Sequence, residues 1–353
     1  MKPSLAILAA SAGILLVSCS SSLYRSVYPT LMDGRYDSEF PYRGCSAQLE
    51  EISETVKRVS ILCNYKSYVF SRDDSITRSD ITPSLLDRFS ATYQHRGSAG
   101  TALVICSDRA HFALITCSHV VDYDDTTVTR FVGPDFRLTP YVRSIAIKMN
   151  QLIYLNDLGG GIALDILAID RELDLAILGP RLGPEQSRLP LSVFQYPLGK
   201  ARELDWGSFV YIFGYPAGYR MVTKGIVSLP PKIQKGAFAV DAVVAPGSSG
   251  SIALAIRDGV PNFELVGIIK MIPSQTSYLL SPSTQGDIEY DPIEPYHGDV
   301  FVQRKAEIQQ GIVVAIPTES IISFLKRNQE DLARKGYDLS SWINPPKKEQ
   351  QTH

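Results

Sequence analysis

The chain has little of the material that metal or redox centres draw on: five histidines, five cysteines and five methionines among 353 residues. It also lacks an excess of either charge, with 35 Lys and Arg against 37 Asp and Glu and a formal net charge of −2. That balance offers no basic surplus for a polyphosphate, and no nucleic-acid motif is present. Its longest early apolar run, Leu5 to Val17, falls short of the ~20 residues that span a bilayer. What is present suits a folded, exported protein: 44% hydrophobic and 20% charged residues are ample for a core.

The stretch that organises the rest is Ala245-Pro246-Gly247-Ser248-Ser249-Gly250-Ser251, with apolar runs before it (Ala242, Val243, Val244) and after it (Ile252, Ala253, Leu254). Glycines around a serine let the backbone turn sharply between two strands and point two amide N–H groups into one small space. An ordinary Gly/Ser turn has the same local chemistry. A serine hydroxyl becomes a nucleophile only beside a base that is itself oriented by a third group. His119, in Thr116-Cys117-Ser118-His119-Val120-Val121-Asp122, supplies a base, and Asp174, opening Asp174-Leu175-Ala176-Ile177-Leu178, supplies a carboxylate. The order is His, Asp, Ser, with separations of 174 − 119 = 55 and 249 − 174 = 75. An α/β-hydrolase elbow is excluded: position 251 is Ser rather than Gly, a strand-like run follows, and the partners precede the serine.

These segments resemble the trypsin-like (chymotrypsin-fold) serine peptidases, in their HtrA/DegP-like and V8-like branches. The resemblance extends to Trp206 through Gly218, to Thr223-Lys224-Gly225-Ile226-Val227-Ser228 and to Gly311 through Pro317, covering roughly residues 57–327 in the family's order. It implies an all-β fold of two antiparallel six-stranded β-barrels with a C-terminal α-helix, here preceded by a short N-terminal helical segment. It implies Ser249 as nucleophile, His119 as base, Asp174 as orienting group, and the N–H groups of Gly247 and Ser249 as the oxyanion hole. A substrate pocket is expected from Val243, Val244, Ile269 and Lys270. Aliphatic Val243 disfavours Lys or Arg and leaves small or apolar side chains as the expectation; Lys270 reads first as a solvent-facing Lys, with a preference for an acidic side chain as the alternative. No metal or organic cofactor is expected, and the expected partners are protein or peptide substrates. Asp165 and Asp170 compete with Asp174, which is preferred for the apolar strand that follows it. Only 353 − 327 = 26 residues follow Arg327, too few for a PDZ module, so PDZ-gated activation is not expected.

At the amino terminus, one Lys, the apolar run and Leu16-Val17-Ser18-Cys19 resemble a bacterial lipoprotein signal. Cys19 would carry the acyl chains and anchor the chain to the envelope, and Ser20 after it points to the outer membrane facing the periplasm. The expected division is a signal peptide (1–18), a lipidated tether and N-terminal helix (19–54), a peptidase domain (55–336) and a polar tail (337–353). Within the domain, the first barrel covers about 55–180, the second about 204–316 and the closing helix 317–336. Helical spacing covers Ser46 to Val59, β-alternation Val59 to Phe70, and a short helix Pro83 to Tyr93. Cys45, Cys63, Cys106 and Cys117 remain for disulfides: Cys45–Cys63 is the more plausible bridge, with buried free thiols as the alternative. The acidic run Asp122 to Asp125 reads as a solvated turn. Pro273 to Gln310 exceeds an ordinary connection and reads either as functional, a lid or a partner-reading loop, or as disordered. The expected function is an envelope-anchored serine endopeptidase; the alternative is a catalytically silent peptidase-like binding protein.

Overall fold

The computed structural model describes residues 33–41, 43–108, 111–135, 137–156, 161–181, 191–233, 236–271, 274–282, 293, 298, 300–308 and 311–343. The signal peptide and Cys19 lie outside the described residues. Among the described residues no helix is long and apolar enough to cross a membrane.

A short helix, α1 (Ser46–Ser53), leads into β1 (Val56–Val69). The helical spacing therefore stops before Val59, where strand pairing takes the backbone over. After α2 (Pro83–Leu86), far shorter than the spacing from Pro83 to Tyr93 suggests, come β2 (Thr92–Ser107), β3 (Phe112–Thr116), α3 (Ser118–Val121), β4 (Thr126–Val132), β5 (Leu138–Leu155), β6 (Ile162–Asp170) and β7 (Leu175–Pro180). Their order is β1-β2-β3-β7-β6-β5-β4, and pairing of β1 with β5 closes six of them into a barrel with β4 outside the ring. The second half contributes β8 (Phe209–Gly214), β9 (Met221–Leu229), β10 (Phe238–Ala242), β11 (Ile252–Ile256), β12 (Phe263–Met271), β13 (Ser274–Pro282), β14 (Val300–Ile308) and β15 (Gly311–Pro317). Six of these close in the order β10-β15-β12-β11-β8-β9. The architecture is thus two antiparallel six-stranded barrels, finished by helix α4 (Thr318–Arg334) and a turn of helix, α5 (Ser340–Ile343).

The wall between the barrels explains its own sequence. Along β11, Ile252, Leu254 and Ile256 join a core shared with Leu103, Leu114 and Ile177 of the first barrel, whereas Ala253 and Ala255 face the narrow interior of the second. β8 alternates likewise, with Phe209, Tyr211 and Phe213 toward the shared core and Val210 and Ile212 inside. Both strands are therefore apolar throughout, because neither face meets water. Each large side chain buried in that seam contributes about 2 kcal/mol. Helix α4 adds Ile321, Phe324, Leu325 and Leu332 to the same core, and Thr318 Oγ1 donates to Leu265 O at 2.7 Å at its start.

Three sequence expectations need correction. The stretch ahead of residue 42 is not tether throughout: Tyr36 is buried, pairs with Arg257, and donates its hydroxyl to Glu264 Oε2 at 2.6 Å. The tail is not polar throughout 337–353: Tyr337, Leu339, Trp342 and Ile343 are buried in the shared core. Cys45 and Cys63 do not pair. All four described cysteines are free thiols; Cys45 lies in the core between the barrels and Cys63 in a separate cluster with Tyr65. The acidic run after His119 is a turn held by ion pairs of Asp122 to Arg171 and Asp125 to Lys148.

Candidate active site

Three loops from both barrels meet in the cleft. His119 sits on α3, the single turn that follows β3; Asp174 immediately precedes β7; Ser249 lies in the turn between β10 and β11. His119 Nδ1 is 2.8 Å from Asp174 Oδ2, and His119 Nε2 is 2.9 Å from Ser249 Oγ. The three residues singled out from sequence are thus hydrogen-bonded in series, with the rim of the imidazole toward solvent and the carboxylate buried.

Asp174 is held from several sides. Its Oδ1 accepts from Ser118 Oγ at 2.8 Å and from the His119 backbone N–H at 2.9 Å, and its own carbonyl accepts the Ser118 N–H at 3.1 Å. Its φ of 59° is left-handed, a conformation that Asp tolerates better than most residues. Burial alone would push this carboxyl up, but the hydrogen bonds from the His119 ring and N–H, its charge, and Ser118 outweigh that and hold it below the ordinary range. The competing carboxylates are engaged elsewhere: Asp165 pairs with Arg181, and Asp170 accepts the N–H groups of Glu172 and Leu173 and pairs with Arg327.

The serine loop is fixed by backbone hydrogen bonds. Pro246 O accepts from Ala217 N at 2.8 Å, and Ser248 O accepts from Ser251 N at 2.9 Å. In a planar trans peptide the N–H points opposite to the C=O, so the next amides, Gly247 and Ser249, are turned away from those partners. Neither amide makes a hydrogen bond among the described residues. Gly247 has φ 101°, and a Cβ there would stand 2.3 Å from Tyr215 O. Gly250, φ 87°, is tighter still, since a Cβ would stand 1.9 Å from Thr101 O. Ser251 fits because Gly214 faces it without a Cβ.

The loop's main anchor was missed in the sequence. Thr101 on β2 donates Oγ1–H to Gly247 O at 2.9 Å, accepts the Tyr215 N–H at 2.9 Å on the same oxygen, and donates its N–H to Ser249 O at 2.8 Å. Thr116 Oγ1 in turn donates to Thr101 O at 2.6 Å. The available signal was a threonine opening the otherwise apolar run Ala102 to Ile105; it is fully buried, and buried hydroxyls are bonded ones.

The expected substrate pocket is corrected in part. Val244 and Ile269 belong to the interior of the second barrel, Ile269 completely buried, so neither side chain faces the cleft. Val243, in the loop that follows β10, points out and is 75% exposed. Lys270, beside Ile269, is half-buried. The backbone of Ile269 meets the serine loop instead, accepting from Gly250 N at 2.8 Å and donating to Ser251 O at 2.7 Å. Cys117, next to His119, donates Sγ–H to Ile269 O at 3.3 Å, and burial pushes its thiol well above the ordinary value. Cys117, His119 and Asp174 do bring ligand atoms within 4.8 Å of one another, but a fully buried thiol that resists ionisation is a poor metal ligand.

An imidazole wedged between a buried carboxylate and a serine hydroxyl, beside two open N–H groups, is the constellation of nucleophilic acyl transfer. Residues 100–268 match the model of the family described as the trypsin-like peptidase domain, a span just under half of the chain that contains His119, Asp174 and Ser249. No curated protein matches the chain significantly. The double barrel and the family match together support a serine peptidase acting on protein substrates.

Proposed function

We propose that the protein is a serine endopeptidase held at the cell envelope through a lipidated Cys19. Ser249 Oγ attacks the scissile carbonyl while His119 Nε2 takes its proton. The oxyanion that forms accepts hydrogen bonds from the N–H groups of Gly247 and Ser249. Asp174 keeps the proton on Nδ1, which leaves Nε2 free as base, and stabilises the imidazolium once it forms. His119 then protonates the leaving amine, and water activated by the same imidazole hydrolyses the acyl-enzyme. No carboxylate stands at position 243 to receive a Lys or Arg side chain, which favours small or apolar residues before the scissile bond.

The observation that carries this reading is the unbroken series from Asp174 Oδ2 through His119 to Ser249 Oγ, at 2.8 and 2.9 Å. Labelling of the mature chain with a fluorophosphonate tests it: the wild type should label, and Ser249→Ala and His119→Ala should not. A folded wild type that stays unlabelled would overturn the catalytic assignment and favour the silent binding protein. The anchor is tested separately by the mass of the amino-terminal peptide, which should carry acyl chains on Cys19.

A further inference from the structure

The turn between β8 and β9, Tyr215 to Gly218, is strained and lies against the serine loop. Ala217 has φ 53°, a left-handed conformation that is costly for a residue with a Cβ. Such a conformation persists only where its surroundings hold it. One end is held by Thr101, whose Oγ1 accepts the Tyr215 N–H at 2.9 Å. Within the turn, the Gly218 N–H donates to Tyr215 O at 3.0 Å. The outcome is an Ala217 N–H aimed at Pro246 O, 2.8 Å away. That bond sets the plane of the Pro246–Gly247 peptide, and with it the direction of the Gly247 N–H.

Arg58, half-buried on β1, closes the other end of the turn. On the β1–β2 ladder it stands opposite Thr101, and opposed residues of an antiparallel pair put their side chains on one face. From that face Thr101 reaches Tyr215 and Gly247, and Arg58 reaches Gly218. A Cβ on Gly218 would stand 3.3 Å from Arg58 Cζ and 3.4 Å from both Nη1 and Nη2. With Cζ the nearest of the three, that point lies over the face of the guanidinium. The planar group is therefore laid flat against Gly218, whose φ of 86° and missing side chain make room for it. Two residues on, Arg220 pairs with Glu54 beside the end of α1, which ties the exit of the turn to the first barrel as well.

We infer that Arg58 is a positioning residue for the oxyanion hole: its guanidinium pins the Ala217–Gly218 turn, and the turn keeps the Gly247 N–H directed at the oxyanion. The inference rests on the peptidase reading above. Without the guanidinium, Ala217 relaxes from its left-handed conformation, its N–H leaves Pro246 O, and the Pro246–Gly247 peptide can rotate its N–H away. Asp174, His119 and Ser249 are hydrogen-bonded to one another through other groups and keep their series.

The test uses Arg58→Met, which keeps the aliphatic stem, and Arg58→Lys, which keeps the charge without the flat face. Three readouts are taken on the mature chain: the second-order rate constant of fluorophosphonate labelling, the low-field NMR resonance of the His119 Nδ1–H, and hydrogen exchange at the Ala217 amide. Both variants should label roughly 10²-fold more slowly, the effect of losing one oxyanion donor. The Ala217 amide should exchange roughly tenfold faster or more, while the His119 resonance and the melting temperature stay those of the wild type. Labelling within about threefold of the wild type in either variant overturns the proposal. So does slow labelling with Ala217 still protected, or slow labelling with the His119 resonance lost, which would make Arg58 a support of the whole site. Should Arg58→Met fail to fold, Arg58→Lys decides by the same readouts. If the wild type itself fails to label, the peptidase reading falls, and Ala217 exchange still decides whether Arg58 holds the turn.

Discussion

Replacing Asp174 by Asn probes the site where its geometry is most specific. The carboxylate accepts the ring Nδ1–H of His119 at 2.8 Å on one oxygen, and Ser118 Oγ and the His119 N–H at 2.8 and 2.9 Å on the other. Asn has the same size and keeps one accepting oxygen, which can still serve Ser118 and the His119 amide. Its NH2 group then faces Nδ1 and donates rather than accepts. The imidazole settles in the tautomer with its proton on Nε2, directed at Ser249 Oγ, and the hydroxyl loses its base. The expected loss is about 10⁴-fold in acylation rate, about 5 kcal/mol at 1.36 kcal/mol per tenfold. The assay is the second-order rate constant for fluorophosphonate labelling at neutral pH, beside thermal melting. Asp165→Asn and Asp170→Asn, whose carboxylates serve Arg181 and Arg327, should label at the wild-type rate. An Asp174→Asn protein that melts like the wild type and labels within about tenfold of it would refute the reasoning.

Gly250→Ala places a methyl group 1.9 Å from Thr101 O at φ 87°, so it should cost on the order of 3–4 kcal/mol, read as a lower melting temperature, and abolish labelling. Thr101→Val strands Gly247 O and the Tyr215 N–H, which should cost about 1–3 kcal/mol and slow acylation, with Thr101→Ser restoring both. Burial pushes the Asp37 carboxyl up to about 6 against the pull of the Gly259 N–H. A raised folded value means that Asp37 favours folding when protonated, and that this share is lost as pH climbs from about 4 through about 6. Asp37→Asn should therefore remove that decline from the melting-temperature profile, and a profile unchanged by the substitution would contradict it. Asp174 has the opposite sign: its folded value lies below the ordinary one, so its contribution is complete above about 3.9 and fades as pH falls further. Asp174→Asn should accordingly shallow the acid limb of the same profile.

Sequence alone determined the components whose chemistry is local. Glycines around Ser249, a histidine after an apolar strand and a carboxylate before another are each a property of a few consecutive residues, and it was the resemblance of these segments to the trypsin-like peptidases that implied two barrels. Tertiary structure decided what depends on the direction in which a side chain points. One position separates exposed Val243 from buried Val244, both in the loop after β10, and only the path of that loop across the barrel fixed which packs inward. Thr101 anchors the serine loop from 148 residues away (249 − 101), a relation that no local pattern records. Cys45 and Cys63 stay apart because they occupy different apolar clusters. Tyr36 and Trp342 lie in segments with a polar cast, yet each is buried, Tyr36 with the apolar cluster of the second barrel and under the Arg257 guanidinium, Trp342 in the core shared by the barrels. The strands β13 and β14 are the converse case: Leu280 and Val302 pair across them and stay exposed.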